Sequence, residues 1–189
     1  TELFAPAAVP HSGRRRILFS SANVADERKG VRYLVEACSL LGDLADSVEV
    51  VVMGQGSDTI GNQLPFDVVS APYTSSQREI SAVVASVDVF VTPSLQDNLP
   101  NTIMEAMACG VPCVAFRTGG IPEMIDHLQN GYLAVQRDAH DLARGLRMAL
   151  QHRDEWGQAA REKVLAAYAP AAIAARHIAL YVNSASTHQ

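Results

Sequence analysis

The sequence predicts an α/β fold: a Rossmann-like doubly wound parallel sheet with C-terminal helices. Short apolar strands alternate with helical segments about five times along the 189 residues, which is typical of strands joined by crossover helices. The strands are continuous apolar runs, such as VEVVVM at residues 48–53, and do not alternate between apolar and polar residues. Such runs are expected where helices cover both faces of a parallel sheet.

Apolar periodicity and Gly or Pro punctuation place the individual elements. Strands are predicted at residues 14–23, 48–53, 66–70, 87–92, 112–116 and 132–135. Helices are predicted at residues 30–41, 77–86, 101–109, 139–150, 153–168 and 170–182, with a short helix beginning near Pro122. Gly110 stands where the glycine after the third helix is expected, and Pro170 suits the first turn of the last helix.

Composition narrows the class of protein. The formal net charge of −5 argues against a duplex nucleic-acid binder, which would present a basic face. It is compatible with a nucleotide ligand, because one phosphate site needs only a few donors. No apolar run approaches the roughly 20 residues of a membrane span, and no signal peptide is present. The sequence therefore predicts a cytoplasmic protein, with peripheral contact at the inner membrane face left open for a longer parent.

Cysteines and histidines form no metal site in the sequence. Cys109 and Cys113 straddle Gly110 and Pro112, so they are interpreted with Cys38 as reduced, packed thiols. The six histidines share no ligand spacing and are interpreted as surface or packing residues. No metal is predicted.

Four loops that follow predicted strands could hold a ligand, because ligands of such sheets bind at the carboxyl ends of the strands. In the first, ADERKG at residues 25–30, Arg28 and Lys29 stand at a helix entrance that favours anions. The loop is either a diphosphate clamp or a solvated charged segment. In the second, Gly54 and Gly56 either let the backbone approach a ligand or form a plain turn. The fourth, RTGGIPEMI at residues 117–125, starts a short helix or closes a βα unit.

The third loop, at residues 93–116, carries two carboxylates. Asp97 lies in the loop and Glu105 lies on the following helix, about one turn from its start. Asn101 is predicted to cap this helix with its side chain, after Pro100, which resists joining it. Glu105 lies among apolar residues, so it either faces solvent or, if buried, needs a partner or a ligand hydroxyl.

This third loop resembles retaining glycosyltransferase family 4, which has the GT-B architecture. The family pattern is E-x7-E within PS-x-x-E-G-F-G-x-x-x-x-E-A-x-A-x-G-x-P-V, and here Asp97 and Glu105 take the two acidic positions. Five further sequence motifs match those of the family in the same order: RKG, MGQG, VDVFVTPS, TGGIPE and NGYL. The resemblance spans nearly the whole chain.

The resemblance assigns a donor site to this chain. It implies that Glu105 holds the nucleotide ribose and that Asp97 is the catalytic residue, an acidic side chain that contacts the donor sugar. It implies that the remaining donor-binding positions surround the diphosphate and sugar: Arg28, Lys29, Gly54, Gly56, Asn98, Leu99, Asn101 and Thr102. The implied ligand is a UDP-, GDP- or ADP-sugar, with no cofactor and no metal, because basic side chains and helix N-termini supply the positive charge.

Three departures from the family pattern concern the donor. Asp97 is one methylene shorter than the usual Glu, and NLP at residues 98–100 replaces the GFG element. SSAN at residues 20–23 lacks the Arg that the family often has there, so phosphate neutralisation rests more on Arg28 and Lys29. These changes resemble a subgroup acting in cell-surface polysaccharide or glycolipid assembly.

The domain organisation follows from the same resemblance. Residues 1–12, opening with TELFAP, are predicted to be an interdomain linker because they lack periodicity. Residues 13–168 form the predicted nucleotide-sugar-binding domain. Residues 169–189 are predicted to form a tail and a helix that crosses to the missing N-terminal acceptor domain. Exposure of Ile173, Ile178, Leu180 and Tyr181 is therefore expected. The chain alone is expected to bind donor without transferring sugar at a useful rate.

Two other functions stay open at this point. A plain nucleotide- or dinucleotide-binding module shares the fold, but no G-x-G-x-x-G follows the first strand. A nucleotide-sugar 2-epimerase shares the layout and the ligand. The acid pair, Asp97 and Glu105, favours the glycosyltransferase over both.

Overall fold

Six parallel strands form one sheet in the computed structural model, which describes residues 2–7, 13–169, 172–174 and 177–178. The strands are β1 (Arg15–Asn23), β2 (Val48–Gln55), β3 (Asp67–Ala71), β4 (Val89–Thr92), β5 (Cys113–Phe116) and β6 (Gly131–Ala134). The α-helices are α1 (Val31–Ser39), α2 (Gln77–Ala85), α3 (Asn101–Ala108), α4 (Ile121–Met124), α5 (Ala139–Gln151) and α6 (Arg153–Ala167). This Rossmann-like α/β architecture confirms the predicted fold class.

The strand order β3-β2-β1-β4-β5-β6 locates the ligand crevice. From β1 the chain moves outward through β2 to β3, and then returns to place β4 on the other side of β1. Ile17 of β1 therefore pairs with Val50 of β2 and with Val89 of β4. In such sheets ligands bind beyond the carboxyl ends of the strands at the point where the order reverses. The loops after β1 and β4 flank that point.

Both faces of the central strands are buried, as their continuous apolar sequences predict. Along β1, Ile17 and Phe19 enter the core beneath α1 and α5, whereas Leu18 enters the core beneath α2, α3 and α6. Edge strand β3 differs, since Val69 is 42% exposed. Buried apolar strands thus form the base of the domain, and the loops at their carboxyl ends carry the polar groups.

Most predicted boundaries agree with the structure to within two residues, and the differences have local causes. Strand β2 continues through Gly54 to Gln55, because Asn23 of β1 still pairs with Gln55 after a bulge. The predicted cap of α3 is wrong: Pro100 occupies the N-cap position, and no side chain caps the helix. Gly110 has a left-handed φ of 71° just past α3, as predicted. The predicted helix at 170–182 lies largely outside the described residues.

The segments flanking the domain are described in part. Phe4 is buried, and Ser81 of α2 donates a hydrogen bond to the carbonyl of Leu3 (2.7 Å). Ile173 and Ile178 are 42% and 64% exposed, whereas Leu180 and Tyr181 lie outside the described residues. The linker and crossing-helix assignments stay predictions. No helix in the described part of the chain is long and apolar enough to span a membrane.

The three cysteines are buried free thiols, as predicted. Burial raises the pKa of Cys38 to about 12 and that of Cys109 to about 11. His127 is a packing residue: its Nδ1 accepts a hydrogen bond from the Leu133 N–H (3.0 Å), and its ring lies edge-on to Tyr132.

Candidate functional site

The loop that carries Asp97, residues 93–98 (the acid loop), is fixed on both sides. On one side the Leu95 N–H donates to the carbonyl of Arg28 (2.7 Å). On the other side the Gly120 N–H donates to the carbonyl of Asn98 (2.7 Å). Gly119 has a φ of 53°, and a Cβ atom there would overlap the carbonyl oxygen of Asp97. The acid loop is therefore clamped between the loop after β1 and the loop after β5.

Lys29 and Asp97 form an ion pair within this clamp. The Lys29 Nζ lies 2.9 Å from the Asp97 Oδ2, and the side chains are 32% and 17% exposed. The two residues are 68 positions apart in the chain and meet because β1 and β4 are adjacent in the sheet. Such a pair couples the position of the carboxylate to that of the ammonium group.

Arg28 has a different environment from Lys29. Its guanidinium forms hydrogen bonds with both carboxylate oxygens of Asp26, at 3.1 and 2.8 Å, and its side chain is 71% exposed. The hydrogen bonds from Arg28 lower the pKa of Asp26. The sequence treats Arg28 and Lys29 as an equivalent basic pair, but the structure turns only Lys29 toward the acid loop.

Glu105 lies in a cavity of about 220 Å³ beside the carboxyl ends of β1 and β2. Its side chain is half-buried, and burial raises its pKa. Among the described residues, none forms a hydrogen bond or an ion pair with its carboxylate. Glu105 is therefore neither fully exposed nor fully buried, so the two alternatives that the sequence left open stay open. Polar side chains from the end of β1, from the loop after β3 and from α3 itself line the same cavity: Ser20, Ser21, Thr74, Ser75 and Thr102.

The start of α3 and the turn after β2 frame this cavity. Because no side chain caps α3, the N–H groups of Asn101 and Thr102 have no hydrogen-bond partner in the described part of the chain. Gly54 lines the cavity and has a φ of 142°, and a Cβ atom there would overlap the carbonyl oxygen of Ser21. Glycine at this position lets the strand ends of β1 and β2 approach each other.

Three other predicted donor positions, Asp97, Asn98 and Gly56, line two separate grooves. Asp97 and Asn98 line an open groove of about 450 Å³ with Gly119, and Leu99 beside it is 50% exposed. Gly56 lines a separate cavity of about 420 Å³. The structure thus brings Glu105, Gly54 and Thr102 together.

Tyr73 lines the candidate site, although the sequence analysis did not single it out. It lies just after β3, is 60% exposed, and lines both the Glu105 cavity and the cavity next to Gly56. An aromatic residue directly after Pro72 in a loop following a strand was the available signal, since exposed loop aromatics often mark binding surfaces.

A neutral replacement of Glu105 tests its burial. Because its folded pKa is raised, the ionised carboxylate destabilises the fold above that pKa, and the penalty disappears below the ordinary glutamate pKa of about 4.3. We expect Glu105→Gln to increase the free energy of unfolding at pH 7.5, by at most about 1 kcal/mol because solvent screens a half-exposed group. Urea unfolding between pH 7.5 and 4.5 should show the difference shrinking as the pH falls.

The matched control is Glu36→Gln on α1, which replaces an exposed glutamate outside the cavity. It should leave stability unchanged to within about 0.5 kcal/mol. A decrease in stability for Glu105→Gln at pH 7.5 would mean that the carboxylate has a stabilising partner.

Comparison with known proteins places the chain in a family. Residues 14–152, more than half of the chain, match the glycosyl transferases group 1 model. The chain belongs to this family of glycosyltransferases.

Curated relatives agree with this assignment. The amylovoran biosynthesis glycosyltransferase AmsK of Erwinia amylovora is 33% identical over 129 residues, 62% of this chain and 32% of the relative. The sulfoquinovosyl transferase SQD2 of Arabidopsis thaliana is 33% identical over 144 residues, covering 72% of this chain and 28% of the relative. A GDP-mannose-dependent alpha-mannosyltransferase of Mycolicibacterium smegmatis is 34% identical over 127 residues, 64% and 32% of the two chains. The chain spans about a third of the length of these relatives.

Solved structures share the fold. Sucrose-phosphate synthase from Thermosynechococcus elongatus has a TM-score of 0.79 at 24% identity, covering 98% of this chain and 51% of that chain. The C-terminal domain of the group 1 protein LpcC from Francisella tularensis has a TM-score of 0.74 at 20% identity. The match covers 88% of this chain and 96% of that domain. Anabaena HepE in complex with UDP-glucose has a TM-score of 0.71 at 20% identity. The match covers 92% of this chain and 50% of HepE.

Proposed function

We propose that this chain is the donor-binding half of a retaining, family 4 glycosyltransferase with the GT-B architecture. One observation carries the proposal: Glu105, half-buried and without a partner among the described residues, shares a cavity at the carboxyl ends of β1 and β2 with Thr102 of the uncapped start of α3. The loops after β1 and β4, at the same edge of the sheet, hold the Lys29–Asp97 ion pair. A carboxylate with free lone pairs suits two vicinal ribose hydroxyls. The N–H groups at a helix start suit a diphosphate.

The remaining groups fit the parts of a nucleotide sugar. Exposed Tyr73 offers its ring face to the base, since bases stack on aromatic side chains. Lys29 lies where it can reach the phosphates and the acid loop together. Asn98, Leu99 and Asp97 border the groove proposed for the sugar, and Asp97 is the proposed catalytic residue there. Coverage of 96% of the LpcC C-terminal domain, and the UDP-glucose bound to HepE, support this division of roles.

In the proposed reaction the bond between the anomeric carbon and the β-phosphate oxygen breaks. The leaving nucleoside diphosphate takes the electron pair, and Lys29 and the N–H groups of Asn101 and Thr102 stabilise its growing negative charge. These groups supply the positive charge without a metal ion in our proposal. An acceptor hydroxyl, presented by a second domain, forms the new bond to the anomeric carbon, and its proton passes to the departing β-phosphate oxygen. We place this transfer in cell-surface polysaccharide or glycolipid assembly, as the name of AmsK supports.

Titration calorimetry of the 189-residue chain tests the proposal. The panel contains UDP, GDP, ADP, a sugar derivative of each, and NAD, because the relatives are named for different donors. We expect saturable binding of one nucleoside diphosphate and of its sugar derivative, and none of NAD. Binding of NAD alone would favour a dinucleotide-binding module, and binding of no nucleotide would reject the donor site.

A further inference from the structure

A second cavity, of about 520 Å³, opens at the carboxyl ends of the strands beside the Glu105 cavity. We name it the arginine cavity. Successive parts of one segment line the two cavities: Ser20, Ser21 and Ala22 face Glu105, whereas residues 24–27 face the arginine cavity. Its other walls come from the start of α1, the segment between β2 and β3, the acid loop and the turn before α5: Val31, Arg32, Gln63, Leu95 and Arg137. None of the predicted donor residues lines it.

The charged groups of the arginine cavity favour an anion. The guanidinium of Arg137 is exposed and forms no hydrogen bond or ion pair with any residue that the structure describes. Arg32 lies over the Tyr33 ring, with its Cζ 4.6 Å from the centroid, and donates to the Tyr33 hydroxyl at 2.6 Å. Asp26 is occupied by Arg28, which leaves Glu27 as the unpaired acid. Two guanidinium groups against one free carboxylate attract a carboxylate or phosphate group.

Apolar side chains line the rest of the cavity. Val24, Val31 and Leu95 contribute aliphatic surface beside the two arginines. Cavities that combine apolar surface with a few directed polar groups suit small organic ligands. A sugar ring that carries an acidic group fits both parts, with its C–H face on the aliphatic side chains.

The turn that carries Arg137 is joined to the acid loop. Arg137 has a left-handed φ of 66°, a conformation that residues with side chains rarely adopt. The adjacent Gln136 donates its Nε2–H to the carbonyl of Leu95 at 2.7 Å. Leu95 lies two residues before Asp97, so a ligand in the arginine cavity lies next to the loop that carries the proposed catalytic carboxylate.

We propose that the arginine cavity binds an anionic saccharide unit of the acceptor while the donor nucleotide occupies the Glu105 cavity. Arg137 and Arg32 hold its carboxylate or phosphate group, and the aliphatic side chains support its ring. This assignment rests on the proposed function, because it places the second substrate beside the first.

Amide chemical shifts of the 189-residue chain test the proposal with three sugars: glucuronate, glucose 6-phosphate and neutral glucose. We expect glucuronate, glucose 6-phosphate or both to shift the signals of residues 24–27, residues 31–32, Leu95 and residues 136–137. Glucose should bind about tenfold more weakly, because it lacks the charged group. A response to one acid alone identifies carboxylate or phosphate as the group bound. A separate titration with UDP reports on residues 20–22 and 102–105, so the two sites succeed or fail independently.

Substitutions at Arg137 sharpen the test. Arg137→Gly removes the guanidinium and tolerates the left-handed φ, so it should weaken acid-sugar binding about tenfold and leave UDP affinity unchanged. Arg147→Gln, which removes an arginine paired with Asp43 away from the cavity, is the matched control. Equal affinity for glucose, shifts outside the arginine cavity, no shifts with either acid, or unchanged binding by Arg137→Gly would each overturn the proposal.

Discussion

Glu105→Ala is expected to weaken the binding of the preferred nucleoside diphosphate by about 1–3 kcal/mol, which is about 5- to 150-fold in the dissociation constant. The carboxylate is half-buried, has no partner among the described residues and faces a cavity lined by hydroxyl groups. Its free lone pairs make it the proposed acceptor for both ribose hydroxyls. Removal leaves those hydroxyls unpaired in a partly desolvated site.

Calorimetry of the variant against wild type measures this loss, and circular dichroism confirms that the variant is folded. Glu105→Gln is the matched variant: it preserves shape but loses the charge, so an intermediate loss is expected because hydrogen bonds to charged acceptors are stronger. Affinity in the wild type should also fall as the pH drops through the raised pKa of Glu105, because protonation removes acceptor capacity. An unchanged dissociation constant in folded Glu105→Ala would remove this residue from the site.

Lys29→Ala is expected to cost more nucleotide affinity than Arg28→Ala, by about 1–2 kcal/mol, although the two residues are neighbours in sequence. Lys29 pairs with a carboxylate that is 17% exposed, whereas Arg28 is 71% exposed and bound to Asp26. Loss of Lys29 removes a charge from the diphosphate and leaves Asp97 unpaired in a clamped loop. Free nucleoside should bind both variants as it binds wild type, because it has no phosphates.

A double-mutant cycle between Lys29→Ala and Asp97→Ala isolates their coupling in the binding of a nucleotide sugar. Residues in contact commonly couple by about 0.5–3 kcal/mol, and we expect a value in this range because each is the other's partner in the free protein. Arg28→Ala combined with Asp97→Ala is the matched control and should couple more weakly, because Arg28 forms its hydrogen bonds with Asp26. Equal losses for Lys29→Ala and Arg28→Ala, or an additive Lys29–Asp97 cycle, would show that the ion pair is not part of donor binding.

Sequence patterns were sufficient for the sheet and for the location of the acidic residues. Continuous apolar runs such as 48–53 are local, and they directly reflect burial on both faces of the sheet. The E-x7-E spacing likewise lies within one loop and one helix, so Asp97 and Glu105 were placed without knowledge of the tertiary structure.

The features of the candidate site that the sequence did not predict depend on contacts between segments that are distant in the chain. The Lys29–Asp97 pair requires β1 and β4 to be neighbours, and the separation of Arg28 from Lys29 follows from a competing hydrogen bond to Asp26. The side-chain cap at Asn101 was predicted from residue preference, but Pro100 takes the N-cap position and moves Asn101 into the helix. The arginine cavity combines residues from segments that are distant in the chain, so no local sequence pattern indicates it.

A crystal structure of the 189-residue chain with UDP, or with the nucleotide that calorimetry selects, tests the central claim most directly. We expect both ribose hydroxyl oxygens within about 2.6–3.2 Å of the Glu105 carboxylate, and the diphosphate on the N–H groups of Asn101 and Thr102 within reach of Lys29. A nucleotide bound elsewhere on the domain, or bound in this cavity without contact to Glu105, would contradict the assignment of this edge of the sheet as a donor site.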